Sequence, residues 1–177
     1  MSRDRPRLSL IELALLLCIG AVILAIFVPA FLRRVRTNKI SEAAELLQGI
    51  HRRAAAYYET SWDDGKRSCL PPGAGPTPVS PSVDPIEVDF VAEDQAGHAS
   101  WAALGVQPDR SLRYSYSYRP SHHGCGLGSG DEPHTVSFRA EGDLDGDGVL
   151  STFERSASID AEGLKPEGPL HVHQRVE

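Results

Sequence analysis

The sequence has no surplus of basic residues. Lys and Arg total 18 against 24 Asp and Glu, for a net charge of −6. A nucleic-acid binder would carry a basic patch or stripe, so no nucleic-acid partner is expected. Also absent are a phosphate-cradling glycine loop, a nucleophile elbow and a zinc motif. Ser, His and Asp occur, but their spacing identifies no triad, and a non-enzymatic protein is expected. Cysteine is scarce, with three in 177 residues. Cys18 lies in an apolar run, whereas Cys69 and Cys125 lie in polar, loop-rich sequence. In an exported chain those two form one disulfide; in a cytosolic chain they remain thiols. The length fits one domain, with room for an appendage.

Charge is missing altogether from Leu13 to Leu32, and polar side chains nearly so. About 20 such residues at 1.5 Å each cross a bilayer core. A short leader with Arg3, Arg5 and Arg7 precedes the run, and Arg33, Arg34, Arg36 and Lys39 follow it. One reading is a secretory signal, since Val28-Pro29-Ala30 loosely fits a cleavage site, although the run exceeds the usual 7–15 residue signal core. A plain membrane anchor is the second reading. The third must account for Glu12 at the start of the run, where a carboxylate costs on the order of 3 kcal/mol at mid-membrane and less near an edge. Basic residues counted alone would leave the C-terminal part inside.

Leu8-Ser9-Leu10-Ile11-Glu12-Leu13, followed by a long apolar helix, resembles the prepilin signature of type IV pilins and type II secretion pseudopilins. In that family a prepilin peptidase removes a short basic leader, and a glutamate stands four residues after the new N-terminus. The resemblance implies processing between Arg7 and Leu8, with Glu12 as the assembly residue. Arg7 stands where the family usually has glycine. Pro29 falls where the family carries a helix-kinking proline, and loss of its hydrogen bond predicts a bend. The family's architecture implies an α+β fold, with a long transmembrane helix on a small antiparallel sheet. It also implies other pilin or pseudopilin subunits as partners, a bacterial inner-membrane location and a periplasmic head, overruling the charge count. The resulting division is leader 1–7, helix 8–60 (membrane-spanning 8–32, amphipathic 33–60) and head 61–177.

Beyond the membrane segment, Ile40, Ala43, Leu47, Ile50, Ala54 and Tyr57 recur at spacings of three and four, predicting one apolar helix face. Glu42, Glu45, Arg52 and Arg53 are expected on the exposed surface, and Trp62 to Gly65 as the helix end. The proline-rich stretch from Ser68 to Pro85 reads as a surface loop. Ser100 to Leu104 reads as a helical turn stopped by Gly105. Leu112 to Tyr118 alternates as a strand with Tyr114, Tyr116 and Tyr118 on one face. His134 to Ala140 should pair with it, Phe153 to Ile159 forms a third strand, and Leu170 to Val176 a fourth.

The most specific motif is Asp143-Leu-Asp-Gly-Asp-Gly-Val-Leu-Ser-Thr-Phe-Glu154, which fits a twelve-residue calcium loop at its diagnostic places. Asp143, Asp145 and Asp147 supply oxygens, Gly148 the sharp turn, and Val149 a backbone carbonyl. Ser151 binds directly or through water, and Glu154 closes the site. Leu150 is expected to anchor the loop in the core. Calcium is the expected cofactor, in a structural strand–loop–strand site. His122-His123 and His171-x-His173 are read as solvated loop and edge-strand residues in preference to a transition-metal site. Two functions compete: a structural subunit of a type IV pilus or secretion-like filament, and a membrane-anchored periplasmic calcium module that does not polymerise.

Overall fold

A computed structural model describes residues 10–60, 68–127, 134–160 and 163–173, with backbone alone for Ala30 and 32–40. Arg7, Leu8, Trp62 to Gly65 and Val176 lie outside the described residues. The chain forms two compact units, 1–39 and 40–177. The division falls inside the first helix, α1 (Leu10–Glu59), and not at its end. Mixed helix and antiparallel sheet make the fold α+β.

In the first unit, Leu10–Pro29 is long and apolar enough to span a membrane, and none of it is buried. Pro29 lies within the helix.

The second unit begins with the rest of α1. Ala43, Leu47, Ile50 and Ala54 are fully buried, as the spacing predicts. The stripe ends on Tyr58, with Tyr57 only partly buried. Both stand one turn beyond Ala54, at three and four residues, so periodicity alone does not choose between them. The hydroxyl of Tyr58 donates to the Leu127 carbonyl at 2.6 Å, which makes its burial affordable.

Glu42 departs from the pattern as well. It was expected on the surface, yet it is only 6% exposed. It stands one four-residue step before Leu46 and two before Ile50, on the flank of the apolar stripe. There its carboxylate accepts the Arg113 backbone N–H at 2.7 Å. It also takes longer contacts from the Tyr114 N–H and the Tyr116 hydroxyl, and its other oxygen lies 3.5 Å from the Arg113 guanidinium. A buried carboxylate persists when its lone pairs are filled in this way.

Five strands form one antiparallel sheet in the order β2 (Ala74–Thr77), β3 (Ser115–Pro120), β5 (His134–Gly142), β6 (Ser151–Asp160), β7 (Gly163–His173). A separate pair joins β1 (Cys69–Leu70) to β4 (Gly124–Cys125), with the two cysteines directly opposite and bridged. The alternation of β3, β5 and β6 puts Tyr116, Tyr118, Val136, Phe138, Ala140, Phe153 and Ala157 in one core with the helix face. The fourth expected strand starts earlier, at Gly163.

The proline-rich stretch is not only a surface loop. It supplies β1 and β2, and Leu70, Pro71, Ala74 and Thr77 are buried. β2 lies at the edge of the sheet, the position where proline is tolerated, because an edge strand has donors that need no ladder partner. Over it packs α2 (His98–Leu104), whose Trp101 is fully buried and donates its indole N–H to Thr77 Oγ1 at 3.0 Å. Gly105 ends α2 in the left-handed region, at φ 65°, as the glycine signal predicts.

His51 flanks the same stripe, edge-on to Phe138 with ring centres 5.5 Å apart. Burial first, and then the positive charge of Arg155, holds its pKa below 6.5. The unfolded chain therefore takes up this proton more readily than the folded one. The stability tied to His51 is complete above about pH 6.5 and declines as the pH falls below it. Replacing it by Phe keeps an aromatic ring there and should flatten the acid limb of a melting-temperature profile below that pH. An unchanged acid limb would show that other groups set it.

Candidate functional site

The hairpin between β5 and β6 carries the acidic loop. Gly142 pairs with Ser151, so residues 143–150 form the connection. Leu144 is buried and fixes the loop to the core. Leu150, expected to be that anchor, is 37% exposed.

The aspartates fold the loop around themselves. Asp143 accepts the N–H groups of Gly146 at 2.8 Å and Gly148 at 3.1 Å. Asp145 accepts from Asp147 N–H at 3.3 Å, and Asp147 from Val149 N–H at 2.7 Å. Gly148 takes φ 84°, a left-handed conformation that glycine adopts without a steric penalty. One oxygen each from Asp143, Asp145 and Asp147 then lies within 4.8 Å of the others. Calcium–oxygen bonds are about 2.3–2.6 Å, and three oxygens 4.8 Å apart stand about 2.8 Å from a common centre, so the group need close only slightly to hold one such cation.

Of the remaining expected ligands, Ser151 and Glu154 have other partners. Val149 is exposed on the loop. Ser151 is buried and its hydroxyl donates to the Gly142 carbonyl at 3.0 Å, closing the base of the hairpin. Glu154 does not join the aspartate group. Its carboxylate accepts the Ser137 hydroxyl at 2.6 Å across the sheet. The cause is the strand itself: three extended residues carry Glu154 about 10 Å beyond Ser151, whereas a helical turn would carry it back toward the loop. The group that could hold a cation is three carboxylates. That set is hard and oxygen-only, and it fits calcium more closely than a transition metal.

Glu12 stands in the first turn of α1, in the exposed apolar unit. Cys69 and Cys125 form the expected disulfide, while Cys18 is a free, exposed thiol. No family model, curated protein or solved structure matches the chain.

Proposed function

We propose that the chain is a single-pass subunit of the type IV pilin and pseudopilin kind. In this reading it is anchored in the bacterial inner membrane, with its folded unit in the periplasm, and assembles through α1 into a filament. One observation carries the reading: Leu10–Pro29 is a helix of apolar side chains with none buried, and Glu12 stands in its first turn. An apolar surface of that extent needs lipid or apolar partners to cover it. The same helix runs on to Glu59, and its later turns supply the core of the second unit. The Cys69–Cys125 bridge suits an oxidising compartment such as the periplasm.

Under this proposal a prepilin peptidase cuts between Arg7 and Leu8, and Glu12 meets the new amine of a neighbouring subunit inside the filament. Mass spectrometry of the native N-terminus tests it. A mature chain starting at Leu8, with its amine methylated, is the expected result. A chain starting at Phe31 would instead make the apolar segment a removed signal and overturn the reading. An intact leader in a protein never found in filaments would favour the non-polymerising calcium module.

The acidic loop is proposed as a structural calcium site. At a calcium concentration one hundred times its Kd, a single site stabilises by about 2.7 kcal/mol. Chelation should therefore lower the melting temperature of the full chain in detergent, and Asp145→Ala should abolish the difference between calcium and chelator. Because Glu154 bonds to Ser137, Glu154→Ala should keep most of that difference. A calcium response lost with Glu154 but kept without Asp145 would reverse the assignment.

A further inference from the structure

At the end of β5 opposite the acidic loop, two histidines meet that are twelve residues apart in sequence. His122 lies in the exposed turn after β3, and His134 is the first residue of β5. Their Nδ1 atoms are 3.1 Å apart. The ring centres are 4.5 Å apart and the planes cross at 57°. A head-on N–H···N hydrogen bond would set the centres roughly 5.4 Å apart, one ring radius beyond each nitrogen. The two nitrogen axes are therefore inclined to the line that joins them, and the rings are too steeply crossed to stack.

We propose that His122 and His134 form a two-imidazole site for a divalent transition metal such as Cu(II) or Zn(II). With metal–nitrogen bonds of about 2.0–2.1 Å, nitrogens at 3.1 Å subtend roughly 95–100° at the metal. That lies between the square-planar and tetrahedral ideals of about 90° and about 109°. The ring centres would then stand roughly 4.8 Å apart, close to the 4.5 Å found. Binding places the cation between the two Nδ1 atoms, and water fills the open positions.

The surroundings hold the pair in place. Ser121 Oγ accepts the Thr135 N–H at 3.0 Å and lies 3.4 Å from His122 Nδ1, tying the turn to the start of β5. The Ser121 contact falls on the same Nδ1 that would take the metal, so Ser121 holds the turn through Thr135 and does not orient the ring through its other nitrogen. Imidazole nitrogen suits copper and zinc, whereas calcium takes oxygen, so the two ends of β5 select different ions. The site rests on its own geometry and is independent of filament assembly.

Isothermal titration of the full chain in detergent, with Cu(II) or Zn(II) as the only added transition metal and calcium in excess, tests the proposal. One saturable equivalent is expected. His122→Gln and His134→Gln should each weaken it by roughly tenfold or more, and a His171→Gln/His173→Gln double variant should leave it unchanged. In the Cu(II) form, electron paramagnetic resonance should show couplings to two imidazole nitrogens, falling to one in His134→Gln. The proposal is overturned if no saturable binding occurs. It is equally overturned if binding survives both single variants, or if it disappears only with His171 and His173.

Discussion

Replacing Glu42 by alanine should destabilise the protein by about 3–5 kcal/mol, the scale on which removing one member of a buried, hydrogen-bonded charge pair is felt. The carboxylate is the acceptor for the Arg113 backbone N–H at 2.7 Å, and it also faces the Tyr114 N–H and the Tyr116 hydroxyl. Burial first, and then the Glu42 charge, pushes the Tyr116 phenol far above its usual range, so this hydroxyl stays protonated as a donor. Alanine leaves these donors facing a small apolar space. Glu45, the next acidic residue on the helix, is engaged with Arg110 in an exposed pair. Glu42→Gln retains a carbonyl oxygen for the same donors and loses only the attraction to Arg113, so about 1–2 kcal/mol is expected. Urea melts of the two variants decide the matter. If Ala and Gln cost the same, the backbone contacts contribute nothing and the charge contributes everything. If neither costs more than a surface substitution, Glu42 is not the tie between α1 and the segment leading into β3.

The second large effect concerns the bridge. Cys69 and Cys125 close a loop with a sequence separation of 56. In the chain-entropy model, constraining a loop of that length in the unfolded state stabilises the fold by about 4 kcal/mol. That loop contains β2, α2 and β3, hence Trp101, Tyr116 and Tyr118 and much of the core. The Cys69→Ser/Cys125→Ser double variant should lose about 2–4 kcal/mol, read as a fall of roughly 10 °C in melting temperature. Reductant should reproduce the fall in the parent chain and have no effect in the variant. A parent chain indifferent to reductant would contradict this.

Much of the architecture is legible in the residues. Spacings of three and four from Ala43 to Ala54 specify the buried helix face, because a helix returns those positions to one side. Alternation in Tyr114 to Tyr118, His134 to Ala140 and Phe153 to Ile159 specifies three strands for the equivalent reason at period two. Cys69 and Cys125 stand outside the apolar run and can be read as a pair provided the chain is exported, and the structure bridges them. Other features depend on what stands opposite. The proline-rich stretch looks like a loop in isolation and becomes a sheet edge because β3 offers it a ladder.

The loop between β5 and β6 shows the division most clearly. The twelve-residue pattern by itself determined the gathering of Asp143, Asp145 and Asp147, because those contacts are local: each carboxylate bonds to a backbone N–H two to five residues ahead. It did not determine Glu154. A ligand pattern reads the same whether a helix or a strand follows, and here the pairing of β6 with β5 extends the chain and gives Glu154 to Ser137. Glu42, Tyr58 and the meeting of His122 with His134 were likewise decided only in the tertiary structure. Local sequence fixes periodicity and short-range hydrogen bonds. Which polar groups become partners across tens of residues depends on strand register and on the packing of α1 against the sheet.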